Sequence, residues 1–323
     1  MDFIGFLIIC VKVLVVFTAT MLTVLMMVYA ERRVSAFMQG RLGPNRVGPQ
    51  GLLQPIADGI KFLMKEDIIP AGVNKPIYLL APAMLLIPAL MTFAVIPFGT
   101  TITLFGREVP LQVADLNVGI LYILALTSIG VYGLVLAGWA SNSKYSLIGG
   151  LRSSAQLISY ELAMGLSVVS VILLAGSLKL NVIVEDQQGY LLSWNVFKQP
   201  VAFLIFLVAV YAETNRLPFD LTEAEQELVG GYHTEYSSMK FAMFFTAEYA
   251  NMVTAAALTV TLFFGGWDIP LLNETSMGAL GAILSVLSFV LKTAFFLFLF
   301  IWVRWTFPRF RYDQLMKLGW KVM

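Results

Sequence analysis

Seven runs of mainly apolar residues, at 3–29, 78–98, 117–139, 155–176, 201–213, 239–264 and 280–305, leave this chain of 323 residues few choices of fold. A helix needs about 20 such residues to cross the hydrocarbon of a bilayer, where only helices and closed barrels satisfy their own backbone. The fifth run is shorter, and either borrows from the polar stretch after it or stops at a water-filled cavity. Charged residues make up 13% of the chain against roughly 25% in soluble domains, and mean hydropathy is +0.81. The opening "MDFIGFLIICVKVLVVF" has an acidic start and no clear cleavage signal, so it is read as a retained first span and not as a signal peptide. No short-period repeat is visible. The expected fold is an all-α polytopic transmembrane helical bundle, residues 1–323 forming a single membrane domain with seven spans.

Lysine and arginine set the orientation. With the N-terminus outside, the inside segments 30–77, 140–154, 214–238 and 306–323 hold most of these residues, from Arg32, Arg33, Arg41 and Arg46 to Lys317 and Lys321. The outside loops hold only Arg107, Lys179 and Lys198. That asymmetry places the inside loops in the cytoplasm, or in the matrix of a mitochondrion. The long inside loop 30–77 begins "ERRVSAFMQGRLGPNRVGPQG", where Gly and Pro argue against a continuous helix. It continues as "LLQPIADGIKFLMKED", where Leu52, Leu53, Ile56, Ile60, Leu63 and Met64 recur near helical spacing. This spacing predicts an amphipathic helix, lying at the membrane interface or packed on its own bundle, with Asp58, Lys61 and Lys65 toward water or a partner.

The second inside feature is "AETNRLPFDLTEAEQELVGGYHTEY". It gathers Glu213, Asp220, Glu223, Glu225, Glu227 and Glu235, nearly a third of the chain's 20 acidic residues, with the only histidine, His233. A solvated surface loop is the ordinary reading of such a run. Interleaved Leu217, Phe219, Leu221, Leu228, Tyr232 and Tyr236 give the segment something to bury, and only Arg216 answers the acids locally, Lys240 being the next cation. If "LTEAEQELVGG" is helical, with Thr222 as N-cap and Gly230 as its stop, Glu223 and Glu227 share a face and repel. Repulsion and partial burial both raise carboxyl pKa values, and such a set titrates as a coupled system.

Ionisable groups inside spans cost at least ~2.5 kcal/mol each at a helix centre, so each is a functional candidate. Glu161 and Glu248 lie in the fourth and sixth spans beside Tyr160 and Tyr249; Lys292 lies in the seventh. Structural ion pairs of Glu161 or Glu248 with Lys292 or Arg152 are the alternative reading. Lys12, near the chain start, snorkels or is solvated from the outer face. The single cysteine, Cys10, allows no internal disulfide. No Cys cluster holds zinc or iron–sulfur, and no nucleotide-binding motif appears. Redox chemistry here would use electrons from elsewhere.

Long segments carry a resemblance: "ERRVSAFMQGRLGPNRVGPQGLLQPIADGIKFLMKED", "LNVGILYILALTSIGVYGLVLAGWASNSKYSLIGGLRSSAQLISYE", "RLPFDLTEAEQELVGGYHTEYSSMKFAMFFTAEY" and "PRFRYDQLMKLGWK". In order and over nearly the whole chain, they resemble the H-subunit family of bacterial respiratory complex I, the NADH-quinone oxidoreductase, whose mitochondrial homologue is NADH dehydrogenase subunit one. The family norm is eight spans, the eighth after "YDQLMKLGWK"; the sequence here ends at Met323.

The resemblance implies a subunit of a proton-translocating enzyme of the bacterial inner membrane, or of the mitochondrial inner membrane. Such a subunit carries no redox cofactor of its own; quinone is the substrate, and iron–sulfur clusters and FMN lie in partner subunits. It implies a quinone chamber lined or supported by Glu31, Arg32, Arg41, Arg46, Asp58 and Phe219, and a proton-coupling path through Glu161, Glu213, Glu223, Glu225, Glu227, Glu235 and Glu248. The implied partners are the quinone-site and iron–sulfur subunits of the hydrophilic arm, small membrane subunits, antiporter-like subunits and membrane lipid, without nucleic acid. Two other classes compete: a stand-alone proton or cation transporter, active when reconstituted alone, and a purely structural anchor. Membrane-bound hydrogenases carry related subunits, but the "GPNRVGPQGLLQPIADGIKF" and "FPRFRYDQLM" segments are more similar to the quinone-reducing branch.

Overall fold

The computed structural model describes residues 3–104, 107–221, 229–272 and 277–323. The chain is built of helices, and each apolar run becomes one. The first, α1 (Phe3–Met38), meets no Gly or Pro between Phe6 and Met38 and therefore continues past the expected end of the span. This corrects the expectation for "ERRVSAFM", which is helical; the chain turns only at Gly40. Between Gly40 and Leu53 it forms a compact loop. Gly51 there has φ +79, and a Cβ on it would lie 2.1 Å from the Pro44 carbonyl oxygen, so no other residue fits.

The predicted amphipathic helix is α2 (Gln54–Met64), opened by Pro55 in its first turn, with Ile56, Ile60 and Leu63 exposed along one side. Next is α3 (Lys75–Met91), with Pro82 and Pro88 inside it. Pro82 has no N–H for the Tyr78 carbonyl four residues back, and the Tyr236 hydroxyl donates to that oxygen instead, at 3.3 Å. A short antiparallel hairpin follows, β1 (Thr101–Leu104) with β2 (Arg107–Pro110), in register Thr101 to Pro110 and Ile102 to Val109. The sequence predicts no strand here, so the all-α expectation needs this one addition.

Beyond the hairpin lie α4 (Gly119–Ala140), α5 (Lys144–Ala175), the short α6 (Leu180–Glu185) and α7 (Asn195–Lys198), and then α8 (Pro200–Glu213). The last three helices are α9 (Ser238–Phe263), α10 (Ala279–Thr306) and α11 (Tyr312–Lys321). Helix α5 starts eleven residues before the expected fourth span and so takes in much of the inside segment 140–154. Among the described residues, five helices are long and apolar enough to cross a membrane: α1, α3, α4, α5 and α10. Helix α8 is apolar but spans only about 21 Å at 1.5 Å per residue, short of the ~30 Å hydrocarbon layer.

The core is centred on α9, which packs on α1, α3 and α10 and is buried almost all round from Met252 to Phe263. Burial on every side, and not a single apolar stripe, is what a central helix requires. At its start α9 is pinned to α2: Ser238 Oγ donates to the Phe62 and Lys65 carbonyls, and Lys240 pairs with Asp67 at 2.6 Å. The terminal α11 docks on α5. Tyr160 donates to the Leu315 carbonyl at 2.9 Å, and Trp320 Nε1 donates to Ser159 at 2.8 Å.

Candidate functional site

Helix α8 stops at Glu213, and a small cavity of about 20 Å³, room for about one water, opens beside that residue. Glu213, Thr214 and Asn215 line it from the end of α8, Glu248 and Asn251 from α9, and Thr127 from α4; Leu85, Val131, Leu134 and Leu157 supply apolar walls. Glu213 Oε2 is buried and has no hydrogen-bond partner among the described residues. Glu248 Oε1 accepts from the Tyr232 hydroxyl at 2.8 Å. A second, smaller cavity of about 10 Å³ shares Thr127, Gly130 and Asn251 with the first and reaches Thr92, whose hydroxyl lies 3.0 Å from that of Thr254. One residue along α4 from Thr127, Ser128 donates to Glu161 in a short hydrogen bond. Three carboxylates from α5, α8 and α9 are thus gathered around α4, and the cavity that two of them share is polar enough to hold water.

A second constellation lies where α1 enters the first inside loop. The buried Glu31 accepts from Arg304 in a short contact, lies 3.5 Å from Arg216 Nη1, and accepts from the Tyr249 hydroxyl at 2.7 Å. The Arg216 guanidinium in turn sits 4.4 Å over the Tyr249 ring. Two cations flank this one carboxylate, and Tyr249 joins the cluster to its sequence neighbour Glu248. Next along α1, Arg32 pairs closely with Asp58 of α2.

The sequence-predicted residues therefore divide. Glu213 and Glu248 share a cavity, with Glu161 close by on α5. Glu31, Arg32 and Asp58 meet at the α1–α2 junction. Phe219 is buried between Phe310, at 5.5 Å, and Tyr160, at 5.4 Å. Arg41 and Arg46 are exposed on the Gly40–Leu53 loop, away from the cavity, and Arg41 donates to Gln39. Glu235 gives its backbone carbonyl to the Tyr78 hydroxyl. Glu223, Glu225 and Glu227, with residues 222–228 of the helix expected over "LTEAEQELVGG", lie outside the described residues.

Partners differ from the expected ones in several places. Lys292 donates to the carbonyls of Phe264, Gly266 and Asp268, at 2.6 to 3.1 Å, at the C-terminal end of α9, where a cation is favoured. Arg152 lies over the Tyr312 ring. Of the two cations nearest the acidic stretch, Arg216 lies against Glu31 and Lys240 pairs with Asp67. Asp220 is answered by Arg309, 3.0 Å away and beyond α10 in the chain. Lys12 donates to the Gln112 carbonyl beside the hairpin. Arg304, Thr127, Ser128 and Asn251 were missed. Of these only Arg304, a cation in the last span, gave a signal in the sequence.

Among the described residues no group of His, Cys, Asp and Glu is arranged to hold a metal ion, and Cys10 is a free thiol. The site can take up, hold and release protons on its carboxylates.

Residues 11–323 match the family model described as NADH dehydrogenase. The chain is 56% identical to an H subunit of the NADH-quinone oxidoreductase of Geobacter sulfurreducens, over 97% of this chain and 91% of that protein. It is 58% identical to NADH-quinone oxidoreductase subunit 8 of Rhodothermus marinus, over 95% and 90% of the two chains. The H subunit of the Salinibacter ruber oxidoreductase is 56% identical, over 95% and 89%.

Proposed function

The chain belongs to the NADH dehydrogenase family, and from that premise we propose that it is a membrane-arm subunit of a proton-pumping NADH:quinone oxidoreductase, coupling quinone reduction to proton translocation. It is a multi-pass protein of the bacterial inner membrane. Seven helices cross the bilayer as one membrane domain over residues 1–323: the five long apolar ones, α9, and the short α8 ending at its cavity. Helix α2 lies at the inside interface with Ile56, Ile60 and Leu63 toward lipid.

Quinone enters laterally past α2 into a chamber supported by Glu31, Arg32, Arg41, Arg46, Asp58 and Phe219. It is reduced there by electrons from an iron–sulfur centre of a partner subunit, with FMN also in the hydrophilic arm. This chain anchors that arm and adjoins the small and antiporter-like membrane subunits. Charge changes at the chamber pass into the carboxylate set Glu223, Glu225, Glu227, Glu235, Glu213, Glu161 and Glu248. Proton transfer along closely spaced acids needs a water-holding polar route in an apolar bundle. The observation that carries this reading is that Glu213 and Glu248, from two helices, open on one such cavity.

The test is Glu213→Gln and Glu248→Gln, with Glu223→Gln and Glu227→Gln in the same series, in the assembled complex in native membranes. Quinone-dependent proton pumping falls, while NADH oxidation by a water-soluble artificial acceptor, which bypasses quinone, persists. Unchanged pumping in all four variants would make the chain a structural anchor. Arg41→Ala tests the chamber separately: quinone reduction weakens while the artificial-acceptor reaction continues, and loss of both would mean failed assembly.

A further inference from the structure

Helix α9 ends among buried residues, Leu262, Phe263, Trp267 and Asp268, so its last carbonyls need partners from the protein itself. Side chains from the segment before α8 supply some of them. Gln187, fully buried, donates to the Thr261 carbonyl at 3.1 Å, and Asn195 donates to that of Leu262 at 2.9 Å. Past the helix end, Gly265 and Gly266 take the chain through left-handed conformations, with φ of +67 and +55. This turn is fixed in place. Gln187 Oε1 accepts from Gly265 N at 3.1 Å, and a Cβ on Gly265 or Gly266 would lie 2.6 Å from Trp194 or 2.7 Å from Val184. The carbonyls of Phe264, Gly266 and Asp268 converge on one point. The Lys292 ammonium, from α10, occupies that point at 2.9, 3.1 and 2.6 Å. The Trp194 ring lies against it, its centroid 4.5 Å away.

We propose that the buried end of α9 is a binding site for a monovalent cation, and that Lys292 fills it with its own ammonium group. Converging backbone carbonyls at the negative end of a helix are the means by which broken helices of membrane transporters hold sodium and pore loops select potassium. An aromatic face adds to the attraction for a cation. The glycine turn and its braces, Gln187, Asn195 and Trp194, all come from segments other than α10. The carbonyls are therefore set in place independently of Lys292, which is the occupant of the site and not its scaffold. A tethered ammonium pins α10 to the end of α9 without a dissociable ion, and it leaves sodium and potassium no place to enter there. This role stands apart from the carboxylates of the coupling path.

The experiment follows amide hydrogen exchange of the peptide over residues 260–268 in the assembled complex, for wild type, Lys292→Met and Lys292→Gln. Each is measured in choline, sodium, potassium and ammonium chloride at one ionic strength. In choline, which is too large for the site, Lys292→Met should exchange about ten-fold faster than wild type or more, the factor that loss of a hydrogen bond to a charged group brings. Potassium and ammonium, close in size to the lysine headgroup, should restore slow exchange saturably, and sodium less well. Wild type should not respond to the choice of cation. Exchange in Lys292→Met as slow as wild type in choline overturns the proposal. Fast exchange of that variant in every salt overturns it too and leaves Lys292 a packing residue, and an equal response in wild type reduces the effect to general salt action. Lys292→Gln keeps a neutral donor and guards against failed assembly of the methionine variant. It should show the same cation dependence; wild-type exchange of Lys292→Gln in choline would mean that the carbonyls need a donor and no charge, which also overturns the proposal.

Discussion

The Tyr249 hydroxyl donates to Glu31 Oε2 at 2.7 Å, tying the helix that carries Glu248 to the start of the first inside loop. The same carboxylate meets Arg216 and Arg304, so three helices and the acidic segment converge on one buried anion. Replacing it takes away the anion that Arg216 and Arg304 share, while the Arg304 side chain, 29% exposed, keeps some water. Glu31→Gln should therefore cost about 1.5–3 kcal/mol, the usual worth of hydrogen bonds to a charged group. Tyr249→Phe, which removes one hydrogen bond and no charge, should cost about 1 kcal/mol. Thermal midpoints of the purified complex and the yield of assembled complex on native gels should both fall in that order, Glu31→Gln well below Tyr249→Phe.

Asp220 and Arg309 pair at 3.0 Å across 89 positions of sequence, with the Asp220 side chain 10% exposed and that of Arg309 33% exposed. The pair fastens the acidic segment to the chain just after α10. Asp220→Asn and Arg309→Gln should each destabilise the complex, and together they should cost less than their sum, with a coupling of about 0.5–3 kcal/mol. Additive losses would mean that each residue acts through other contacts.

What the sequence made legible follows from the range of the forces involved. Apolar runs report burial in lipid directly, so a helix stands at each of the seven expected places. The N-terminal extension of α5 and the last turns of α1 were misplaced because charged and small residues ended the apolar count without ending the helix: "ERRVSAFM" holds no breaker, and helical hydrogen bonding continues to Met38. The hairpin at Thr101–Pro110 is too short for its alternation to stand out. In the candidate site, the carboxylates were visible as charges in an oily chain. Their partners were not, since Arg304 reaches Glu31 across 273 positions and Arg309 reaches Asp220 across 89. The cavity is the least legible element of all: Thr127 and Asn251 are ordinary residues of apolar helices until packing sets them opposite Glu213 and Glu248.

Gly51 offers a test of the loop that holds Arg41 and Arg46. Its φ of +79 is unfavourable for other residues, and the Pro44 carbonyl occupies the space of a Cβ. Gly51→Ala should cost at least about 1–3 kcal/mol in local strain and reopen the loop between Gly40 and Leu53. Gly165, in α5, has nothing within 4 Å of a Cβ, and Gly165→Ala should be neutral or stabilise by up to about 1 kcal/mol. Limited proteolysis of inside-out vesicles reads the difference: the 40–53 loop should become more cleavable in Gly51→Ala and stay as in wild type in Gly165→Ala. Equal protection in both would mean that the loop yields to the extra methyl without strain.

Orientation rests on where the cations lie, and it can be read with single cysteines. Leu42 is 78% exposed on the first inside loop, and Leu192 is 76% exposed between α6 and α7 on the expected outer side. Cys10, also exposed, is first replaced in Cys10→Ser so that each introduced thiol is read by itself. The excess of Lys and Arg in segments 30–77 and 306–323 holds those segments on the cytoplasmic side during insertion. A membrane-impermeant maleimide should therefore label Leu192→Cys in intact spheroplasts and Leu42→Cys only in inside-out vesicles. The reverse pattern would put the acidic segment and Glu31 on the outer face and remove the basis for joining them to a cytoplasmic electron-transfer arm. Labelling of both from one side would mean an even number of crossings between Leu42 and Leu192, where α3, α4 and α5 give three.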